Sequence, residues 1–153
     1  MKLTEHFSLQ EFIKSDTAER WGIDNTPDEN IIENLKILAQ GLEDVRLLLN
    51  NPITISSGYR CPNLNDLLRS KRTSQHLQGL AADFRCDKFG NPNDIINCVS
   101  ESDIPFDQII LEFWNPDVLH SGWVHISFCK NPKDARKQAL IIDKDGARLY
   151  KNQ

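Results

Sequence analysis

Between residues 28 and 49, apolar side chains recur at Ile31, Leu35, Leu38, Leu42, Val45 and Leu49, in alternating steps of four and three. Such steps keep one stripe of a helix apolar, so the segment predicts a long amphipathic helix with one buried face. Thr26-Pro27-Asp28-Glu29 supplies its start, with proline at the first helical position, where a missing N–H costs nothing. Upstream, Ser8-Leu9-Gln10-Glu11 has the form of a capping box between Phe7 and Phe12, and predicts a short helix.

After Asn50-Asn51-Pro52 the period changes. "ITISSGYR" is a β-branched run ending in a turn, read as a strand followed by a loop lasting to about residue 78. "GLAADFRC" reads as a buried strand, and Asn91-Pro92 opens a modest helix to about Ser100. "FDQIILEFW" is apolar enough for a central strand, whereas "GWVHISF" alternates with period two. "QALIID" and "ARLYK" predict a hairpin around Asp145-Gly146. Helices early and strands late, with no repeats or linkers, point to one α+β domain over residues 1–153, its helices packed on one face of a largely antiparallel sheet.

Composition narrows the function classes. A chain of 153 residues can bury one core without staples. Its 18 basic and 22 acidic residues are spread evenly, for a formal charge of −4, which argues against nucleic acid as a partner. No run has the length of a membrane span, and the N-terminus lacks the apolar core of a signal peptide. A soluble monomer, cytoplasmic at synthesis, is expected. Cys61, Cys86, Cys98 and Cys129 are too far apart for a zinc ribbon or a dithiol motif and read as free packing thiols. A disulfide stays open for a chain working outside a reducing compartment.

The chemistry-bearing stretch is "SQHLQGLAADFR", which sets His76 seven positions before Asp83; His125 follows in "WVHIS". Two imidazoles and a carboxylate suit zinc or another divalent metal with one open position. From spacing alone, satisfied polar histidines explain the pattern as well.

"SGYRCPNLNDLL", "SQHLQGLAADF" and "WVHISF", in this order, resemble the zinc D-alanyl-D-alanine carboxypeptidases and related peptidoglycan peptidases. The opening "HFSLQEFIKSDTAERWGIDNTP" is similar to the phage and bacterial branch, so the resemblance runs to about Phe128. It implies the fold shared with the hedgehog signalling domain, one zinc ion, and hydrolysis of peptide bonds in cell-wall stem peptides. By the same resemblance His76, Asp83 and His125 become the zinc ligands, the metal acidifying a water and polarising the scissile carbonyl. Arg60 becomes a substrate or oxyanion contact. Ser74 and Gln75 are expected to contact substrate or orient a ligand histidine. Ser57, Gly58, Tyr59 and Asn65 are expected to shape their loop, and Gly79 to supply a turn. The product would reach the wall by phage lysis or in a virion.

One departure concerns the general base. Many relatives carry an acid three positions before the second histidine, where this chain has Gly122. Glu112 is the expected replacement, because a hairpin register between "DQIILEF" and "WVHIS" can bring it beside His125. His120 and Asp107 stand behind it. A second departure is the basic segment Arg69, Lys71 and Arg72, read first as a solvated loop and otherwise as an attractor of anionic wall polymer. Two competing readings remain: a non-catalytic zinc-containing wall-binding or structural module of the same fold, and a cytosolic dipeptidase. Nothing in the sequence selects the bond cleaved.

Overall fold

The apolar stripe forms a single helix, α3 (Glu29–Leu49), in the computed structural model, which describes residues 1–150. Leu35, Leu38, Leu42 and Val45 are fully buried along it, each such leucine contributing about 1.5–3 kcal/mol of transfer free energy. The cap differs from the expected one. Asp28 accepts the Ile31 N–H at 2.9 Å, so Pro27 precedes the cap rather than opening the helix. Asn50 ends it in the left-handed region.

Helix α1 (Leu9–Ile13) starts as expected: the Ser8 N–H donates to Glu11 Oε1 at 2.9 Å, and the Phe7 and Phe12 rings lie 5.9 Å apart. Helix α2 (Asp16–Trp21) was not anticipated; it buries only Ala18 and so leaves no apolar stripe to read. Ser15 Oγ caps it by accepting the Ala18 N–H.

Six strands follow, β1 (Thr54–Ser57), β2 (Ala81–Arg85), β3 (Phe106–Glu112), β4 (Trp123–Phe128), β5 (Gln138–Asp143) and β6 (Gly146–Leu149). They form one sheet in the order β1-β2-β4-β3-β5-β6. Every pairing is antiparallel except β3 with β5. The α+β class and the largely antiparallel sheet are as expected; the Lys151 end of the anticipated hairpin lies outside the described residues. Helix α3 and helix α5 (Pro92–Ser100) pack on one face, against Phe84, Ile109, Leu111, Val124 and Ile126. Strand alternation turns Asp83, Ile110, Glu112 and His125 to the other face, where a cavity opens. The expected loop between β1 and β2 holds a further short helix, α4 (Pro62–Leu67), and a single 3-10 turn, Gln75–Gln78. The four cysteines are free thiols, Cys86 buried and the others half-buried. Among the described residues no helix is long and apolar enough to cross a membrane.

Between β4 and β5 the chain rounds the start of β3 and is bolted there by Asp107. Arg136 donates to Asp107 through its backbone N–H (3.1 Å), Nε (3.0 Å) and Nη2 (2.8 Å), and Gln75 Nε2 donates at 3.0 Å. The Arg136 hydrogen bonds hold the buried Asp107 carboxyl well below the usual carboxylate range, outweighing the opposing effect of burial. A carboxyl with a depressed folded-state pKa stabilises the fold above its unfolded value, near 4, and loses that contribution as pH falls toward the folded value. Asp107→Asn should therefore lower stability at pH 7 by about 1–3 kcal/mol, with the gap from wild type closing below about pH 4. Urea denaturation at pH 7 and pH 3 measures both.

Candidate active site

The site is assembled by strand register. In the β2–β4 pair Asp83 lies directly opposite His125, which puts both side chains on the open face. His76 comes from the 3-10 turn before β2; its backbone N–H donates to Ser74 Oγ at 3.2 Å. Gly79, at φ +72°, then turns the chain into the strand, a conformation that disfavours other residues. His76 Nε2 lies 3.2 Å from Asp83 Oδ1, and His125 Nδ1 lies 3.1 Å from the same oxygen. The two rings meet nearly edge to face, 5.0 Å apart. All three residues are buried, and their facing atoms lie within 4.8 Å of one another.

These donors fit a small divalent cation. Tetrahedral zinc with arms of about 2.0–2.1 Å separates its ligand atoms by roughly 3.3 Å, close to the two distances to Asp83. The tautomer of His76 points the same way. Its Nδ1 lies 2.7 Å from the Gly58 carbonyl, which can only accept, so Nδ1 carries the proton. Burial pushes the ring toward its neutral form, leaving a lone pair on Nε2 aimed at a carboxylate oxygen. Two lone-pair-bearing atoms in that position call for a cation between them.

Charge around the cluster is arranged to keep Asp83 ionised. Burial raises its pKa, but the imidazoles of His76 and His125 outweigh that and hold the carboxyl far below the usual range. Arg60 adds a contact, Nη2 to Oδ2 at 3.4 Å, while its Nε donates to Ser57 Oγ at 3.2 Å. Its side chain is only 14% exposed, so it is not a surface arginine.

Glu112 stands beside the cluster in the expected hairpin geometry. Ile110 pairs with His125 and Glu112 with Trp123, which sets Glu112 diagonal to His125, its Oε1 3.7 Å from Nδ1. Burial and then the Asp83 charge push the Glu112 carboxyl up to about 7. The other two candidates are placed elsewhere: Asp107 is engaged by Arg136 and Gln75, and His120 is exposed in the β3–β4 loop, its carbonyl accepting from Arg85.

The glycine at 122 has a steric cause. At φ +71° a Cβ there would sit 2.6 Å from Trp114 Cα and 2.7 Å from the Glu112 carbonyl oxygen. Arg85 Nη1 donates to the Ser121 and Gly122 carbonyls and fixes the loop in this fold-back. An acid cannot stand at this position without moving backbone, whereas the neighbouring strand already supplies one.

Ser74 and Gln75 both border the cavity, but neither side chain hydrogen-bonds the ring of His76 or His125. The Gly58 carbonyl performs that task for His76, while Gln75 spends its amide on Asp107. Two buried asparagines hold the walls. Asn65 donates to the Lys71 carbonyl at 3.1 Å, shaping its loop as expected. Asn25, not anticipated, donates to the Ile13 and Tyr59 carbonyls and accepts the Cys61 N–H. Lys71 borders the cavity, whereas Arg72 is solvated, 3.7 Å from Asp66. A backbone carbonyl and a distant asparagine carry no pattern by which sequence could mark them.

Three facing donors, a protonatable carboxyl and a fixed guanidinium in one cleft make up the equipment of a hydrolase that splits acyl bonds with water. Residues 5–127 match the model of the family described as peptidase M15, and the chain belongs to this family of peptide hydrolases. No curated protein gives a significant match.

The support behind His76 yields a direct test. Gly58 packs so closely that a Cβ on it would lie 2.4 Å from the Phe12 carbonyl oxygen, the acceptor of the Tyr59 N–H. Gly58→Ala should cost about 1–3 kcal/mol through overpacking and displace the carbonyl behind His76. Urea denaturation measures the first effect, and the His76 imidazole resonances in NMR the second.

Proposed function

We propose that this chain is, as one catalytic domain, a zinc-dependent peptidase that cleaves peptide bonds in the stem peptides of bacterial peptidoglycan. The observation that carries the reading is the convergence of His76 Nε2, Asp83 Oδ1 and His125 Nδ1, with Glu112 Oε1 3.7 Å from the last of them. Those three atoms would hold the ion, and the set of two imidazoles and one carboxylate is a zinc set. Bound there, zinc supplies Lewis acidity that polarises the scissile carbonyl and acidifies water.

The remaining work falls to the chain's own side chains. Glu112, with positive charge added beside it, shifts back toward the carboxylate and can accept a proton from the attacking water. The water oxygen bonds to the carbonyl carbon, the C–N bond breaks, and Glu112 returns the proton to the leaving amine. Arg60, held by Ser57 and Asp83, presents its remaining donors to the developing oxyanion or to a substrate carboxylate. No enzyme nucleophile is needed, and no cysteine borders the cleft.

The zinc-loaded protein, incubated with purified peptidoglycan, should release fragments whose new amino and carboxyl termini, read by mass spectrometry, name the bond. Chelation should abolish release, and added zinc should restore it. Glu112→Gln should retain one zinc per chain and lose about 10²–10⁴-fold in kcat. Asp83→Ala should lose the zinc itself, as measured by metal content after dialysis. Undiminished turnover in Glu112→Gln would remove the assigned base.

A further inference from the structure

The cavity that holds the catalytic cluster does not end with it. It has a volume of about 550 Å³, and its floor continues from Asp83 and His125 across Ile110 to Leu140, Ile142 and Ala147. The last three belong to the β5–β6 hairpin, which lies entirely beyond the family-matched residues 5–127. Register explains the continuity. Asp83, His125, Ile110, Leu140 and Leu149 lie opposite one another across five strands. Glu112, Ile142 and Ala147 form the neighbouring row.

Strand β5 is apolar on both faces. Ala139 and Ile141 pack on the core, so Leu140 and Ile142 form a second apolar surface that the helical layer does not cover. A sheet face left to solvent is ordinarily polar, and a half-buried aliphatic floor running out of a catalytic cleft is a place for a ligand.

We infer that the β5–β6 hairpin forms the distal half of the substrate cleft, with Leu140 and Ile142 as specificity-determining residues. They take an aliphatic side chain of a peptide extending at least three residues across the sheet. The inference rests on the peptidase reading above and deepens it. Strands stand about 4.8 Å apart, and an extended peptide advances about 3.4 Å per residue. Leu140, two strands from His125, is therefore about 10 Å away across the sheet, beyond a dipeptide of about 7 Å.

The test compares a synthetic stem pentapeptide with D-alanyl-D-alanine, using wild type and the double variant Leu140→Thr/Ile142→Thr, which places strand-favouring β-branched residues at both positions. For the pentapeptide the double variant should raise KM at least tenfold with kcat held, and for the dipeptide neither should change. Calorimetry in the Glu112→Gln background should give a matching loss of pentapeptide affinity without turnover. Equal effects on both ligands, or none on either, would overturn the shelf. Should the double variant fail to unfold cooperatively on heating, Leu140→Phe keeps the strand apolar. It should weaken binding of a leucyl peptide relative to an alanyl one, and equal affinities would overturn the inference. If wild type cleaves neither peptide, the peptidase reading fails, and pentapeptide affinity alone then decides the shelf.

Discussion

Asp83 is a carboxylate buried in a β-sheet, and most of the structure around it can be understood as the means of keeping it there. An ionised carboxylate moved away from water carries a penalty of several kcal/mol unless compensating charge is brought to it. Arg60, from the loop after β1, brings a fixed positive charge, while His125 across the β2–β4 pair and His76 from the turn before β2 turn ring nitrogens toward the same carboxylate. Each approach is held by backbone geometry. Strand register places His125, the Gly58 carbonyl orients His76, and the Arg60 N–H donates to the His76 carbonyl, tying the two approaches together. The Nε2 lone pair of His76 and the Asp83 carboxylate facing it are frustrated as a hydrogen-bond pair, and with His125 they form a set that fits a cation.

The placement of the acid follows from the same sheet. Where Gly122 folds back against Trp114 and the Glu112 carbonyl, the loop has no room for a side chain, and Arg85 locks the fold-back through successive carbonyls. An acid carried on the loop would depend on that turn. Glu112 depends on β3 instead, a central strand paired on both sides, so its distance from His125 is set by the antiparallel ladder. Rigid elements hold side chains more closely than loops do, at the cost of burying a carboxyl in an apolar strand. The upward displacement of the Glu112 carboxyl to about 7 is the mark of that burial.

How much of this was legible depended on whether the cause was local. The period of residues 31–49 and the capping box at Ser8 are local signals, and both elements formed where expected. Parity alone put Glu112 and His125 on one face once their strands were assumed to pair, and the diagonal register bears it out. Helices α2 and α4 escaped notice because six-residue helices bury too little to leave a period. The Asp107 clamp joins residues 75, 107 and 136, and the Asn25 clamp joins residues 13, 25, 59 and 61. Such long-range polar closures follow from the completed fold and from nothing nearby in the chain. Ser74 and Gln75 are expected from sequence to contact substrate or to orient a histidine; the acceptor behind His76 Nδ1 is a main-chain carbonyl, which no side-chain pattern displays.

The parallel pairing of β5 with β3 was equally invisible, and it has the widest consequence. A hairpin attached to the sheet by an antiparallel turn would have extended it beside β4, the strand that precedes it. That edge is already taken by β2, so the chain rounds the start of β3 and joins on the far side, held at the crossing by Arg136 and Asp107. The result is a sheet in which β2, β4 and β3, which carry Asp83, His125 and Glu112, are contiguous, and whose two added strands continue the same face outward. Because alternation is preserved across each pairing, the residues added beside Ile110 and Glu112 are Leu140 and Ile142. A one-residue slip at the crossing would turn Ala139 and Ile141 to the cleft and bury the other pair. The clamp at Asp107 holds the crossing from which that register starts, although it lies outside the His76–Asp83–His125 cluster.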